Sequence, residues 1–317
     1  EIVEDAEKGI LAVNKDRIGK EIRPIQDVIV KAQTEIEALA KAGADITGIP
    51  TGYYDLDNKT TGFHENELII LAGRPGMGKT ALAINFATNM AISNNKSIAM
   101  FSLEMGAEQL VNRMFASVGG IDGKKLRTGR LEHKDWKRLN EAMSQLADTK
   151  FFLDDTPGIT VSEIRSKCRR LKNSDKGLDL VLVDYLQLIS SSSKYTGQRV
   201  QEVSEVSRDL KKLAMELKIP VIALAQLSRS VESRENKRPI MSDLKESGSI
   251  EQDADIVMFL YNDDYYNVKL KDKPSVTRTD LIISKHRNGS TGTVELIFEK
   301  NMSNFKNCIK SEVAINE

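Results

Sequence analysis

Apolar residues stand at Ile25, Val28, Ile29, Ala32, Ile36, Leu39 and Ala40, a helical spacing, with Pro24 just ahead as a helix start would have it. This predicts an amphipathic helix over about 25–40. The stretch KAGADITGIPTG that follows is rich in Gly, Thr and Pro and reads as a linker. The helix has two readings: it packs on its own core, or it docks on a neighbouring subunit. The expected organisation is a linker segment over 1–45 and one larger domain over 46–317.

From Gly48 onward the pattern changes. ELIILAG (67–73) reads as a short buried strand, followed by a helix from about Thr80 to Ser93. SIAMFSL (97–103) predicts a second strand, and MGAEQLVNRMFASV a helix after it. FFLDD (151–155) is a third strand and DLVLVDYLQL (179–188) a fourth, apolar on both faces. Val200, Val203, Val206, Leu210, Leu213 and Leu217 form one face of a long helix over 198–217. PVIALAQ (220–226) and DIVMFLY (255–261) follow as strands, then DLIISK and TVELIFE as a terminal hairpin. Such alternation predicts an α/β fold: a mostly parallel twisted sheet with helices on both faces.

The 317 residues exceed an average domain, and 40% hydrophobic content is ample for a core. No apolar run approaches the length of a membrane span, and the acidic EIVEDAEKGI lacks the features of a secretory signal. Cys168 and Cys308 are the two cysteines, too few for a disulfide framework or a Cys-based zinc site, and this fits a reducing cytoplasm. With 46 Lys+Arg against 46 Asp+Glu, a globally basic nucleic-acid binder is excluded. A polyanion must be held by a local basic surface or by backbone amides.

The chemistry begins at Gly73-Arg74-Pro75-Gly76-Met77-Gly78-Lys79-Thr80, a full match to G-x-x-x-x-G-K-[ST], with Ala81 next on the helix. The glycines let backbone N–H groups close around phosphate oxygens, and Lys79 reaches the β- and γ-phosphates. Thr80 is placed to ligate Mg²⁺ at the positive end of the helix. The required strand before and helix after are both predicted, so nucleotide binding is expected, with ATP and Mg²⁺ as cofactors. Asp184 ends the run Leu180–Val183, where open α/β sheets place their ligands, and is the expected second metal residue. Glu104, in FSLEM, is the candidate base that polarises the attacking water. Gln226 ends another strand with an amide able to sense the γ-phosphate. Alone it is weak evidence.

With these motifs in place the chain resembles the DnaB-type replicative DNA helicases, in their RecA-like C-terminal motor. GIPTGYYDLD (48–57), AGRPGMGKT, FSLEM, LVLVDYLQL, PVIALAQLSR, DLKESGSIEQDAD (243–255) and SKHRNGSTGTVEL carry the resemblance, in family order. It implies an ATP-hydrolysing helicase: a homohexameric ring with ATP sites between subunits, moving 5′ to 3′ on single-stranded DNA at the replication fork. It also implies that Arg113 lies near the phosphates, and that Lys285 and Arg287 reach the neighbour's γ-phosphate as a finger pair. Without the resemblance, those two read as a solvated basic hairpin. The family's N-terminal helical domain, which contacts primase and helicase loader, is expected to be missing from this chain. A cytoplasmic protein encoded by a bacterium or phage follows from the same resemblance.

DNA is expected to pass two loops, at about 190–200 and 228–254. By family analogy Lys245, Glu246 and Gly248 line its path, with Arg229 nearby. The pattern commonly has Arg at Lys245, so a charge is kept but a bidentate fork is lost. The second loop holds Arg229, Arg234, Lys237, Arg238 and Lys245 among acids at least as numerous, and no Phe, Trp or Tyr. Base stacking is therefore not expected there, and phosphate contact reads no sequence. Two alternatives keep the P-loop: a RecA-like filament or loader that binds DNA without unwinding it, and a monomeric small-molecule kinase. The latter needs a lid and acceptor pocket, for which no insertion is evident.

Overall fold

The computed structural model describes residues 22, 24–190, 197–244, 248–266 and 274–308. The chain divides into two units, Glu1–Asp45 and Ile46–Glu317. In the first, helix α1 (Ile25–Ala42) begins directly after Pro24 and ends on Gly43, whose N–H bonds the Leu39 carbonyl. Its stripe is in the open: Ile25 is 73% exposed, Ile36 66% and Leu39 49%.

In the second unit the described elements run α2 (Tyr54–Thr60), β1 (Leu68–Gly73), α3 (Lys79–Asn94), β2 (Ile98–Ser102), α4 (Ala107–Gly119), α5 (Gly123–Thr128), α6 (His133–Ala147) and β3 (Phe151–Asp154). Then come α7 (Val161–Lys172), β4 (Leu180–Asp184), α8 (Arg199–Leu217), β5 (Val221–Gln226), α9 (Gly248–Asp253), β6 (Ile256–Tyr261), α10 (Asp263–Tyr266), β7 (Val276–His286), β8 (Gly292–Glu299) and β9 (Asn304–Asn307). The strands form one sheet in the order β3-β2-β4-β5-β1-β6-β7-β8-β9. From β3 to β6 neighbours are parallel, and β7, β8 and β9 add antiparallel at one edge. The expected α/β architecture with a terminal hairpin is what forms.

Period-two alternation splits the sheet's side chains between two cores. Ile69, Leu71, Leu180, Leu182, Ile222 and Leu224 pack on one face with Phe86, Ala87 and Met90 of α3 and Leu110 and Met114 of α4. Leu68, Ile70, Val181, Val183, Val221 and Ala223 pack on the other with Ile164 and Cys168 of α7 and Val203, Val206, Leu210 and Leu213 of α8. Central parallel strands covered on both sides have no polar face, which is why these runs read as continuous apolar stretches.

The motif GIPTGYYDLD locks the start of this unit onto α3. The buried Asp57 carboxylate accepts from the Thr51 N–H at 2.9 Å, the Thr51 hydroxyl at 2.8 Å and the Gly52 N–H at 3.1 Å. Asn89 on α3 donates to the Thr51 carbonyl at 3.1 Å. Tyr53 and Phe63 meet Phe86 edge to face, at centroid distances of 5.5 and 5.7 Å. Phe86 is fully buried, so Phe86→Ala should cost about 3–5 kcal/mol through lost transfer energy and an unfilled cavity. Denaturant melts measure it, and a loss under about 1 kcal/mol would show that this junction collapses freely.

Two elements differ from expectation. The fourth strand ends at Asp184, not Leu188, because the chain leaves the sheet in a 3-10 turn over Leu186–Leu188, with the Leu188 N–H on the Tyr185 carbonyl. The stretch 228–254 is not a plain loop: it holds 3-10 turns at Arg229–Ser233 and Met241–Asp243, and then α9.

Candidate nucleotide site

The carboxyl ends of the parallel strands all open on one edge of the sheet. Register aligns Gly73 with Gln226 and Ser102 with Asp184, so the ends of β1, β5, β2 and β4 lie side by side. A cleft of about 390 Å³ lies there, lined by Pro75, Gly76, Gly78, Lys79, Thr80 and Ala81 of the loop and helix start. Glu104, Arg113, Asp184 and Gln226 also line it, so the structure brings all four together with the P-loop, Arg113 being the one expected from the resemblance alone.

Gly78 has φ +94°, a left-handed conformation, and a Cβ there would stand 2.9 Å from the Phe298 ring. Only glycine passes both tests. Lys79 then opens α3 with its ammonium 2.9 Å from the Gly73 carbonyl, folded back over its own loop. Burial lowers its pKa, while Asp184 and Glu104 oppose the shift. The Thr80 hydroxyl donates to the Asp184 carboxylate at 2.8 Å. Burial raises the Asp184 pKa, the Thr80 bond opposes this, and the charge of Glu104 adds to it. An Asp that is 2% exposed beside a hydroxyl is a hard-oxygen pair that gains from a cation. Arg113, on α4, also has its pKa lowered by burial, against Asp184 and Glu104. Glu104 stands two residues beyond β2 and is exposed to the cleft's solvent, where a water has access to it.

Sequence reasoning missed Met105, Tyr185, Phe298, Lys300 and Ser303, which also line the cleft. Phe298 stacks on Phe305 of β9 at 4.1 Å between centroids, forming an apolar wall from the chain's far end. The aromatic at the end of the TVELIFE strand was the available signal.

Arg74 departs from expectation. Its main chain is part of the loop, but it does not line the cleft; the guanidinium donates to the Leu227 carbonyl at 2.9 Å and to Glu232 at 2.8 Å. Lys285 and Arg287 are likewise outside this chain's cleft. Lys285 is the penultimate residue of β7 and Arg287 follows its last, and both turn to the carboxyl end of α9. Lys285 donates to the carbonyls of Glu251 at 2.5 Å and Ala254 at 2.7 Å, and Arg287 to that of Gln252 at 2.5 Å. Arg287 also lies 3.4 Å from the buried Asp255. Arg229 is exposed in its 3-10 turn and Gly248 opens α9, whereas Lys245, Glu246 and most of the 190–200 stretch lie outside the described residues.

A fold of this kind recurs in known proteins. The chain matches the family described as DnaB-like helicase C terminal domain over residues 48–307. It is 52% identical to the replicative DNA helicase DnaC of Bacillus subtilis over 97% of this chain, and 51% identical to the replicative DNA helicase DnaB of Geobacillus stearothermophilus over 96%. It spans about two thirds of those curated relatives, 67% and 66% of their lengths. Among solved structures, an isolated ATPase domain superposes with a TM-score of 0.84 at 40% identity, covering 91% of this chain and all of that one. A DnaB-like replicative helicase, described together with its interactions with primase, gives 0.81 at 38% identity over 98% of this chain and 73% of that one. The chain belongs to the DnaB-like helicase C-terminal domain family.

Proposed function

We propose that this chain is the ATP-hydrolysing motor of a replicative DNA helicase, working as a homohexameric ring that moves 5′ to 3′ on single-stranded DNA. The observation that carries the reading is the split of the catalytic set. Lys79, Thr80, Asp184, Glu104 and Gln226 converge on one cleft, while Lys285 and Arg287 of the same chain stand apart from it. A site with base and phosphate cradle but no finger is half a site, and a neighbouring copy supplies the rest.

Within one site, Lys79 swings from the Gly73 carbonyl to the β- and γ-phosphates, Glu104 orients and deprotonates the attacking water, and Gln226 bonds the γ-phosphate. Arg113 neutralises phosphate charge from the α4 side. Thr80 and Asp184 would hold Mg²⁺, which would supply positive charge against the phosphates. Among the described residues no group of three or more His, Cys, Asp or Glu is arranged to hold a metal ion.

DNA runs past the segment after β5, with Arg229, Lys245, Glu246 and Gly248 along its path, and its phosphates are contacted without its bases being read. The exposed stripe of α1 docks on the neighbouring subunit. Primase and a loader are the further partners, and a bacterial or phage-encoded protein of the replication fork is the setting. Among the described residues no helix is long and apolar enough to cross a membrane.

The test is strand displacement on a fork with a 5′ tail, with electron microscopy in ATP analogue. Closed six-fold rings and ATP-dependent displacement are expected. Helical filaments that hydrolyse ATP without displacing a strand would replace this reading with the filament one.

A further inference from the structure

We infer that Arg74 is a positioning residue that couples the phosphate loop to the segment running from Leu227 to Leu244, so that nucleotide occupancy sets the order of that segment. That the segment faces DNA rests on the function proposed above; the mechanical link does not.

The P-loop pattern leaves position 74 free, and a cation there would ordinarily be assigned to the phosphates. Here Arg74 is 7% exposed and its guanidinium is engaged elsewhere. Nη1 donates to the Leu227 carbonyl at 2.9 Å and Nε to the Glu232 carboxylate at 2.8 Å. A buried guanidinium without acceptors is costly, so these two bonds hold the side chain in place. A planar fork reaches two acceptors in different directions at once, which an ammonium on a flexible stem does poorly.

The link is continuous on both sides. Towards the cleft, Lys79 donates to the Gly73 carbonyl at 2.9 Å and approaches that of Arg74 at 3.5 Å. The Gly73 carbonyl also receives the Leu227 N–H at 3.5 Å. Phosphates draw Lys79 away from both carbonyls, and residues 73–74 are the ones joined to Leu227 and Glu232. Away from the cleft, Leu227 bridges to Leu244, the Ser228 N–H bonds the Asp243 carbonyl at 2.8 Å, and Arg234 pairs with Asp243 at 2.6 Å. The far end of this folded segment is one residue from Lys245.

Glu232 is the residue to change, because its side chain is 42% exposed and stands outside the cleft. Hydrogen exchange by mass spectrometry on the full chain, with and without a non-hydrolysable ATP analogue, reads the segment directly. In the wild type the analogue should slow exchange across 228–244. In Glu232→Ala that slowing should shrink by about fivefold or more, with analogue affinity within about twofold of wild type. Arg74→Lys should shrink it likewise, even if its nucleotide affinity also falls. A thermal melt confirms that each variant is folded. Equal slowing in wild type and Glu232→Ala, or no slowing in the wild type, overturns the inference. A parallel titration with labelled oligo-dT separates the two readings. Where DNA binds, the factor by which analogue tightens DNA must equal the factor by which DNA tightens analogue, and Glu232→Ala must lower both alike. Slowing that depends on Glu232 in a chain that binds no DNA would sustain the link and sink the nucleic-acid reading.

Discussion

Glu104→Gln should lower the turnover of ATP by about a hundredfold or more while nucleotide affinity stays within a factor of about three. The expectation follows from place and chemistry. Glu104 is open to solvent at the cleft's mouth, whereas Asp184, the other carboxylate there, is 2% exposed and tied to Thr80 at 2.8 Å. A buried carboxylate already engaged by a hydroxyl is a ligand for a cation; one facing water is the group able to take a proton from it. Gln preserves shape and removes the basicity, so the cradle of Gly73–Thr80 still binds while the water is left unactivated. Equilibrium binding of a fluorescent nucleotide and a steady-state phosphate-release assay check the two halves. Wild-type turnover in the variant would move the base to another residue of the cleft.

Arg287→Ala should bind nucleotide normally and hydrolyse it about a thousandfold more slowly, and the defect should be repaired by mixing. The Arg287 guanidinium does not line its own chain's cleft, so deletion leaves that cleft intact. A subunit carrying Glu104→Gln retains the finger but lacks the base. An interface that joins an Arg287→Ala cleft to a Glu104→Gln finger is complete, and activity should reappear with a maximum at intermediate mixing ratios. Activity of the wild type should also fall on dilution as subunits part. No recovery at any ratio, with subunit exchange proven by energy transfer between labelled copies, would place the finger in its own chain.

Much of this was legible from local pattern. Eight contiguous residues specify the phosphate loop, and the apolar runs ahead of Gly73, Asp184 and Gln226 specify buried parallel strands whose ends must meet at one edge. Glu104 follows by the same logic. What was not legible depends on contacts between distant segments. Phe298 and Ser303 enter the cleft from the far end of the chain, and beyond an aromatic at a strand end nothing near them in sequence points to phosphate. β9, with the sequence NFKN, is short and polar and has no period of its own; it forms because Phe305 stacks on Phe298. Arg74 was assigned with its loop because the pattern describes backbone, and a pattern of backbone positions says nothing of where a long side chain finds its acceptors. The finger reading of Lys285 and Arg287 rests on resemblance, since two cations in a hairpin are otherwise an ordinary surface.

The resting place of that pair has a kinetic consequence. Lys285 and Arg287 are held by three main-chain carbonyls and Asp255. Holding a long cationic side chain still costs up to about 2 kcal/mol of rotamer freedom each. Here that ordering precedes any encounter with another copy. In the proposed ring, reaching across to a phosphate is then an exchange of one set of oxygen acceptors for another, not the capture of two free arms. Charged phosphate oxygens are stronger acceptors than neutral carbonyls, so the exchange favours the phosphate while it is bound and the carbonyls once it has gone. In the ring proposed above, once the γ-phosphate has left, the carbonyls at the end of α9 are there to take the cations back, and the interface is released rather than welded at the end of each turnover.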